Sequence, residues 1–233
     1  MSDVNEVGFV EFMRKSKKSE RAVKRYVNYM KTFEEYLTKH GKNLEVVTPD
    51  DLRDFVDWGR RRSLKVPQYL WAIRTYYEYI PDESLFNTTR ELIGILYMET
   101  YRLKDFRRVR TKIVEKLALK GIKAAKQMLD AGKSKNEREK LAEETGIQVE
   151  HILELVKLSN LARIPGVKQV RARLYYDAGL DTLEKIAELD PEEMREMLKQ
   201  FIEKNNFDGS PPLPKEAVMT VTLARHLPKL VEY

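Results

Sequence analysis

The chain has no cysteine, which removes disulfides, thiolate nucleophiles and cysteine-ligated zinc together. Histidine is nearly as scarce. Only His40, His151 and His226 are present. With 10 glycines and 9 prolines in 233 residues, the turns a β-rich fold would need are missing. No apolar run reaches the length of a membrane-spanning helix. The opening "MSDVNEVGFV" has neither the basic start nor the apolar stretch of a secretory leader, so a cytoplasmic location is expected and a membrane partner is not. There is no G-x-G-x-x-G, no G-x-x-x-x-G-K-[ST] and no H-E-x-x-H, so no cofactor and no metal is expected.

What is present is charge and helical spacing. Charged residues make up 34% of the chain and the net charge is +6, which favours an anionic partner but also suits an ordinary solvated surface. Apolar residues recur three and four apart almost throughout, so the predicted fold class is all-α. Helices are expected at about residues 5–14, 20–39, 50–61, 66–80 and 84–102, followed by several shorter ones. Thr48-Pro49-Asp50-Asp51 and Asp190-Pro191-Glu192-Glu193 each place a capping oxygen before a first-position proline and acid in the first turn. Gly41, Gly121, Gly132, Gly146 and Gly179 read as helix stops. "NNFDGSPPLP", residues 205–214, is the one loop-like stretch. Two halves are expected, 1–103 and 104–233, with net charge spread over both.

Basic residues cluster locally. One cluster holds Arg14, Lys15, Lys17, Lys18, Arg21, Lys24 and Arg25. A second is Arg60, Arg61, Arg62 and Lys65. A third runs from Lys104 to Lys126 and includes Arg107, Arg108 and Arg110. Such clusters suit phosphate, because each contact releases counterions; the competing reading is a solvated helix face.

From Ser19 to Ile80 the order is a long helix with Val23, Tyr26, Val27, Met30, Phe33 and Tyr36 on one face, a "GKNLEVVTPDDL" linker, a short helix, a basic hinge, and a helix ending "AIRTYYEYI". This segment resembles the N-terminal SAM-like, or core-binding, domain of phage integrases and other tyrosine recombinases. The resemblance implies a helical bundle that embraces DNA. It places Lys17, Lys18, Arg21, Lys24, Arg25, Arg60, Arg61, Arg62, Lys65 and Arg74 near phosphates. Phe33, Tyr36, Phe55, Trp58, Trp71, Tyr76 and Tyr77 are expected in the core, because helical spacing accounts for them. The family's catalytic half has no counterpart. No histidine is followed three places on by arginine, and Tyr233 has no activating neighbours in sequence, so no catalytic residue and no enzyme is expected.

The second half carries "LALKGIKAAKQMLDAGKSKNEREKLAEETGI" and "LVKLSNLARIPGVKQVRARLYYDAGLDTLEKIAEL". It resembles an uncharacterised bacterial and archaeal domain family of tandem helix-hairpin-helix-like units. A short internal echo, Gly121 with Gly179 and Met128 with Ile186, suggests a duplicated unit. In Ile164-Pro165-Gly166-Val167-Lys168, the two branched residues would anchor a turn and Gly166 would let the backbone approach a phosphate. Lys168, Arg171 and Arg173 follow as candidate contacts. Lys168 stands where such a turn usually has a second glycine, and a side chain there would resist positive φ. The corresponding stretch 58 positions earlier, Phe106-Arg107-Arg108-Val109, lacks Pro-Gly and is not expected to form the same hairpin. Phosphate contact and a purely structural corner both stay open for Gly166–Lys168.

His151 with Glu150 and Glu154 lacks a third ligand pattern and reads as an exposed helix face. The expected function is non-enzymatic, largely sequence-independent binding to duplex DNA. The alternative is a protein–protein adaptor or homodimer that docks through the Tyr-rich helix or the final "KEAVMTVTLARHL".

Overall fold

Ser19, Thr48 and Asp190 cap three helices as their residue types require, and from such local signals the chain builds an all-helical fold. The computed structural model describes residues 6–233, so the expected start of the first helix at Asn5 lies outside the described residues. Among them are thirteen α-helices, one 3-10 turn and no strand. The chain divides into two compact units, Met1–Ile93 and Gly94–Tyr233.

The first unit holds α1 (Glu6–Lys15), α2 (Glu20–Lys39), α3 (Pro49–Arg61), α4 (Val66–Tyr79) and the start of α5 (Glu83–Met98). The Ser19 hydroxyl accepts from the Ala22 amide at the start of α2. At α3 the Thr48 hydroxyl accepts from the Asp51 amide, while Asp51 accepts from the Thr48 amide at 2.9 Å. Lys42 Nζ lies 2.6 Å from the same carboxylate. Burial pushes the Asp51 acid up, but Lys42 and Thr48 outweigh it and hold the group below the usual range. Phe9, Met13, Met30, Phe33, Leu37, Leu52, Phe55, Leu70 and Ile73 form the dry centre of this unit. Burying each large side chain contributes about 1.5–3 kcal/mol. Phe55 meets Phe33 edge-on at 4.9 Å between ring centres, which joins α3 to α2.

The break between units falls inside α5, ahead of the expected boundary near Leu103. Met98, Tyr101, Leu103 and Phe106 all join the core of the second unit. A continuous helix keeps its apolar period across such a break, so the spacing carries no mark of it. Gly94 belongs to this side. A Cβ there would lie 2.3 Å from the Arg163 carbonyl oxygen, so only glycine admits that backbone.

The second unit runs through two successive four-helix sets whose first halves match in spacing. Its first copy is α6 (Thr111–Leu119), α7 (Ala125–Asp130), α8 (Lys135–Thr145) and α9 (Val149–Leu161). Its second is α10 (Gln169–Asp177), α11 (Leu183–Ala187), α12 (Pro191–Asn205) and α13 (Pro214–His226). Helices α10 and α11 start 58 positions after α6 and α7, and α10 and α6 are each nine residues long. Gly121 and Gly179 close α6 and α10 at φ 80° and 87°. The next amide then returns to the helix, Ile122 to the Leu117 carbonyl at 3.0 Å and Leu180 to the Tyr175 carbonyl at 2.9 Å. In each copy the short helix packs on the last one, α7 on α9 and α11 on α13. The copies diverge later, where α12 is four residues longer than α8.

Candidate nucleic-acid interface

In the first unit most expected phosphate contacts lie at or near two inter-helix turns, with Arg74 apart within α4. Between α1 and α2, Lys17 holds φ 57°, in the left-handed position where a helix end usually takes glycine. Between α3 and α4, Ser63 does the same at φ 56°, just after Arg60, Arg61 and Arg62. A non-glycine residue in this region costs on the order of 1 kcal/mol, so both basic turns keep a side chain against the local backbone preference. Lys17, Arg21, Lys24, Arg25, Arg61 and Lys65 are exposed, and among the described residues none has an ion pair or side-chain hydrogen bond. Arg60 is exposed but already partnered. Arg62 lies over the Trp58 ring, 4.4 Å from its centre. Arg14, in the same basic run, is taken up by Glu20 through two bonds of 2.8 and 2.9 Å.

The aromatic residues behave as helical spacing requires. Phe33, Tyr36, Phe55, Tyr76 and Tyr77 are buried, and Trp58 and Trp71 are half-buried. None of the five buried rings is more than 5% exposed. Arg74 and Lys18 are half-buried beside this aromatic layer. Arg74 stacks on Trp71 at 4.7 Å, and Lys18 sits 5.0 Å above Tyr26.

In the second unit the two copies present matching turns. Gly166 has φ 94°, and 58 positions earlier Arg108 has φ 60°. In both, the preceding amides bond alike: Ile164 to the Leu161 carbonyl and Phe106 to the Leu103 carbonyl, each 3.2 Å. Phe106-Arg107-Arg108-Val109 therefore follows the same course as the Pro-Gly turn, contrary to the expectation from its sequence. Missing glycine is a weak veto, because arginine can hold a left-handed φ once the flanking residues Phe106 and Val109 are anchored. Lys168 is corrected as well. Its φ of −88° and ψ of −179° are extended, so it bears no strain. The left-handed residue is Gly166.

Each turn then delivers an uncapped helix. Arg110 and Lys168 occupy the N-cap positions of α6 and α10, and neither N-cap side chain makes a capping bond. Both are exposed and have no ion pair among the described residues. A cation at this end opposes the helix dipole, and the first amides of α10 receive no side-chain acceptor. An open groove of about 720 Å³ reaches both turns, with Arg107, Gly166, Lys168 and Gln169 in its lining. A second, of about 480 Å³, lies at the start of α6 between Arg110, Lys112, Lys116 and His151.

Four expected contacts of this unit are committed internally. Arg107 binds the Asp208 carboxylate at 2.8 Å. Arg108 binds Asp177 at 3.0 Å, and Arg171 binds Glu216 at 3.1 Å. Arg173 is the clearest correction, with only 3% of its side chain exposed. It donates to the Arg107 carbonyl at 2.7 Å, Glu154 at 2.5 Å and Asp177 at 3.2 Å. That side chain wires α10 to α9 and to the first turn, and is not presented to a phosphate. In the surrounding basic run, Lys116 donates to the Gly146 carbonyl and Lys120 to Glu144, whereas Lys104, Lys112 and Lys123 stay exposed. His151 lies 3.7 Å from Glu154, whose carboxylate already accepts from Arg173. At Tyr233, burial pushes the phenol up to about 12 while Asn160 donates to its oxygen at 2.8 Å. A rise is the wrong direction for a nucleophile.

Sequence reasoning missed Arg90. It sits on α5 outside the three basic clusters, is only 7% exposed, and makes no ion pair among the described residues.

Comparison with known proteins gives two matches. Residues 107–227 match the family described as Domain of unknown function (DUF4332). Residues 7–84 match the phage integrase N-terminal SAM-like domain. No curated protein and no solved structure matches the chain.

Proposed function

The chain belongs to the DUF4332 family, whose match spans just over half of it, and from this premise and the integrase-like segment ahead of it we propose a non-enzymatic protein that binds duplex DNA through its phosphates. Binding is largely independent of sequence, since ammonium, guanidinium and amide groups on phosphate read no bases. The carrying observation is how the cations sort. Lys17, Arg21, Lys24, Arg25, Arg61 and Lys65 in the integrase-like unit, and Arg110 and Lys168 at the paired turns, make no ion pair among the described residues. Most other arginines of the second unit's turns are neutralised by Asp177, Asp208 or Glu216. We read the paired turns as hairpins of the helix-hairpin-helix class, each offering amides and one cation to a phosphate. The protein-docking alternative draws less support. Ala217, Thr220, Val221, Leu223 and Ala224 of α13 are buried within the second unit, which leaves Val218 as that helix's main exposed apolar residue.

The test is a salt series with duplex DNA. Affinity should fall linearly in log–log form, and replacing Lys24, Arg25, Arg61 and Lys65 by glutamine should reduce the slope by about 0.9 per lost contact. Binding that is absent at low salt, or indifferent to salt, would sink the reading. Lys168→Glu and Arg110→Glu should each weaken binding if the paired turns meet phosphate. If neither does, the turns are corners and the contact lies in the first unit alone.

A further inference from the structure

Three cations of the first unit gather around aromatic rings with one carboxylate among them. Arg74 of α4 and Arg90 of α5 both lie over the Phe86 ring, at 5.6 and 5.2 Å from its centre. Arg74 also stacks on Trp71 at 4.7 Å, and Lys18 lies over Tyr26 at 5.0 Å. Among the described residues the acid facing the group is Glu78, 3.8 Å from an Arg74 nitrogen, beyond hydrogen-bond reach. Arg90 is nine-tenths buried and donates no hydrogen bond among the described residues. The Nε atoms of both arginines are enclosed and unpartnered.

A buried guanidinium normally binds a carboxylate or several carbonyls, because it surrenders its hydration on burial. Here a ring face offsets only part of that loss. Placing a second guanidinium on the same ring adds like-charge repulsion. Burial first, and then the Arg74 charge, push Arg90 down to about 10, with Glu78 opposing. Lys18 is lowered by the same two causes in the same order, and Arg74 chiefly by burial. Near neutral pH Arg90 still carries its charge. The fold thus sustains a cationic cluster that its own acceptors leave unsatisfied.

We propose that Arg90, Arg74 and Lys18 form a binding site for a phosphate-class oxyanion, which supplies the acceptor the protein lacks there. The oxyanion comes from free phosphate or from a nucleic-acid phosphodiester. The second source rests on the function proposed above; the site itself does not.

The test compares the full chain with Arg90→Met, which keeps an unbranched apolar stem and removes the guanidinium charge. Thermal unfolding is followed in sodium chloride and in inorganic phosphate at equal ionic strength, and duplex affinity is measured alongside. Phosphate at about a hundredfold over its Kd should raise the wild-type Tm by roughly 5 °C or more and leave the variant unmoved. In chloride the variant should melt at or above the wild-type temperature, since no hydrogen bond or ion pair is lost and the apolar stem still covers the Phe86 ring. An equal phosphate shift in both proteins overturns the site, and so does a variant that melts lower in chloride. Should Arg90→Met fail to fold, the Lys18→Gln, Arg74→Gln pair must lose the phosphate shift, and its retention overturns the proposal. A phosphate shift confined to the wild type supports the site whatever the duplex result. If the variant then binds duplex as well as the wild type does, the source is free phosphate; a loss of about tenfold assigns it to the nucleic acid. Absence of any phosphate shift in the wild type, with its duplex binding intact, sinks the site and leaves the DNA reading standing.

Discussion

The turns before α6 and α10 share a backbone course and differ in almost every side chain. Where the second has Pro165 and Gly166, the first has Arg107 and Arg108, with φ 60° at Arg108 against 94° at Gly166. Glycine holds the left-handed position without a steric penalty, whereas arginine incurs one on the order of 1 kcal/mol. Yet Arg108 reaches Asp177 in α10, so the first turn is tied to the second copy by its own left-handed residue. What both turns keep is the exposed cation at the N-cap, Arg110 and Lys168. The two turns share a helix end that can meet an anion, while Arg107, Arg108 and Arg173 around them act as internal fasteners.

The largest blow to this arrangement is Arg173→Met. It leaves Glu154 and Asp177 without their buried partner and the Arg107 carbonyl without its donor. The expected loss is about 3–5 kcal/mol in urea unfolding. A loss under 1 kcal/mol would show that the first turn does not depend on that fastener. Next come opposite changes at the two left-handed positions. Gly166→Ala should destabilise by about 1–2 kcal/mol, because a Cβ is forced into a left-handed backbone. Arg108→Gly relieves strain but loosens the unfolded chain and forfeits an exposed ion pair, so its net effect should stay within about 0.5 kcal/mol of zero. Equal losses at both sites would break the equivalence of the turns.

The smallest effect concerns Glu216, which caps α13 and faces Arg171 beside the second turn. Its acid is held below the usual range, first by the Leu213 amide and then, against burial, by Arg171. A folded-state value below the unfolded one gives stability that is present above the unfolded pKa, near 4.3, and is lost as pH falls through the folded value. Glu216→Gln should therefore flatten the acid limb of the stability curve and cost under about 1 kcal/mol at pH 7. An unchanged acid limb would place the pH sensitivity elsewhere. Asp51 and Asp181, both lowered, are the next groups to examine.

Much of the helix map was legible. Expected helices at 20–39, 50–61 and 66–80 coincide with α2, α3 and α4 to within a residue. Capping by Thr48 and Asp190 was likewise readable, because a cap closes over two or three residues. The basic turns of the first unit could be found, since clustering shows in the order of residues. Arg173 and Arg90 could not, although their types were plain. Whether an arginine faces water depends on partners far along the chain, and Arg173 meets the Arg107 carbonyl across 66 positions.

The sequence by itself determined the bounds of α2, α3 and α4, that the helices amount to an all-helical protein, and which turns are rich in cations. Those properties rest on the 3.6-residue period and on bonds spanning four residues or fewer. Tertiary structure decided which cations stay available. Arg107 is neutralised by Asp208, 101 positions away, and Arg108 by Asp177, 69 away, while Lys168 and Arg110 lack an ion pair among the described residues. It also decided that α5 serves two cores and that Arg108 turns as Gly166 does. Charge pairing and backbone handedness at these points follow from what packs against them, and neighbouring residue types do not encode that.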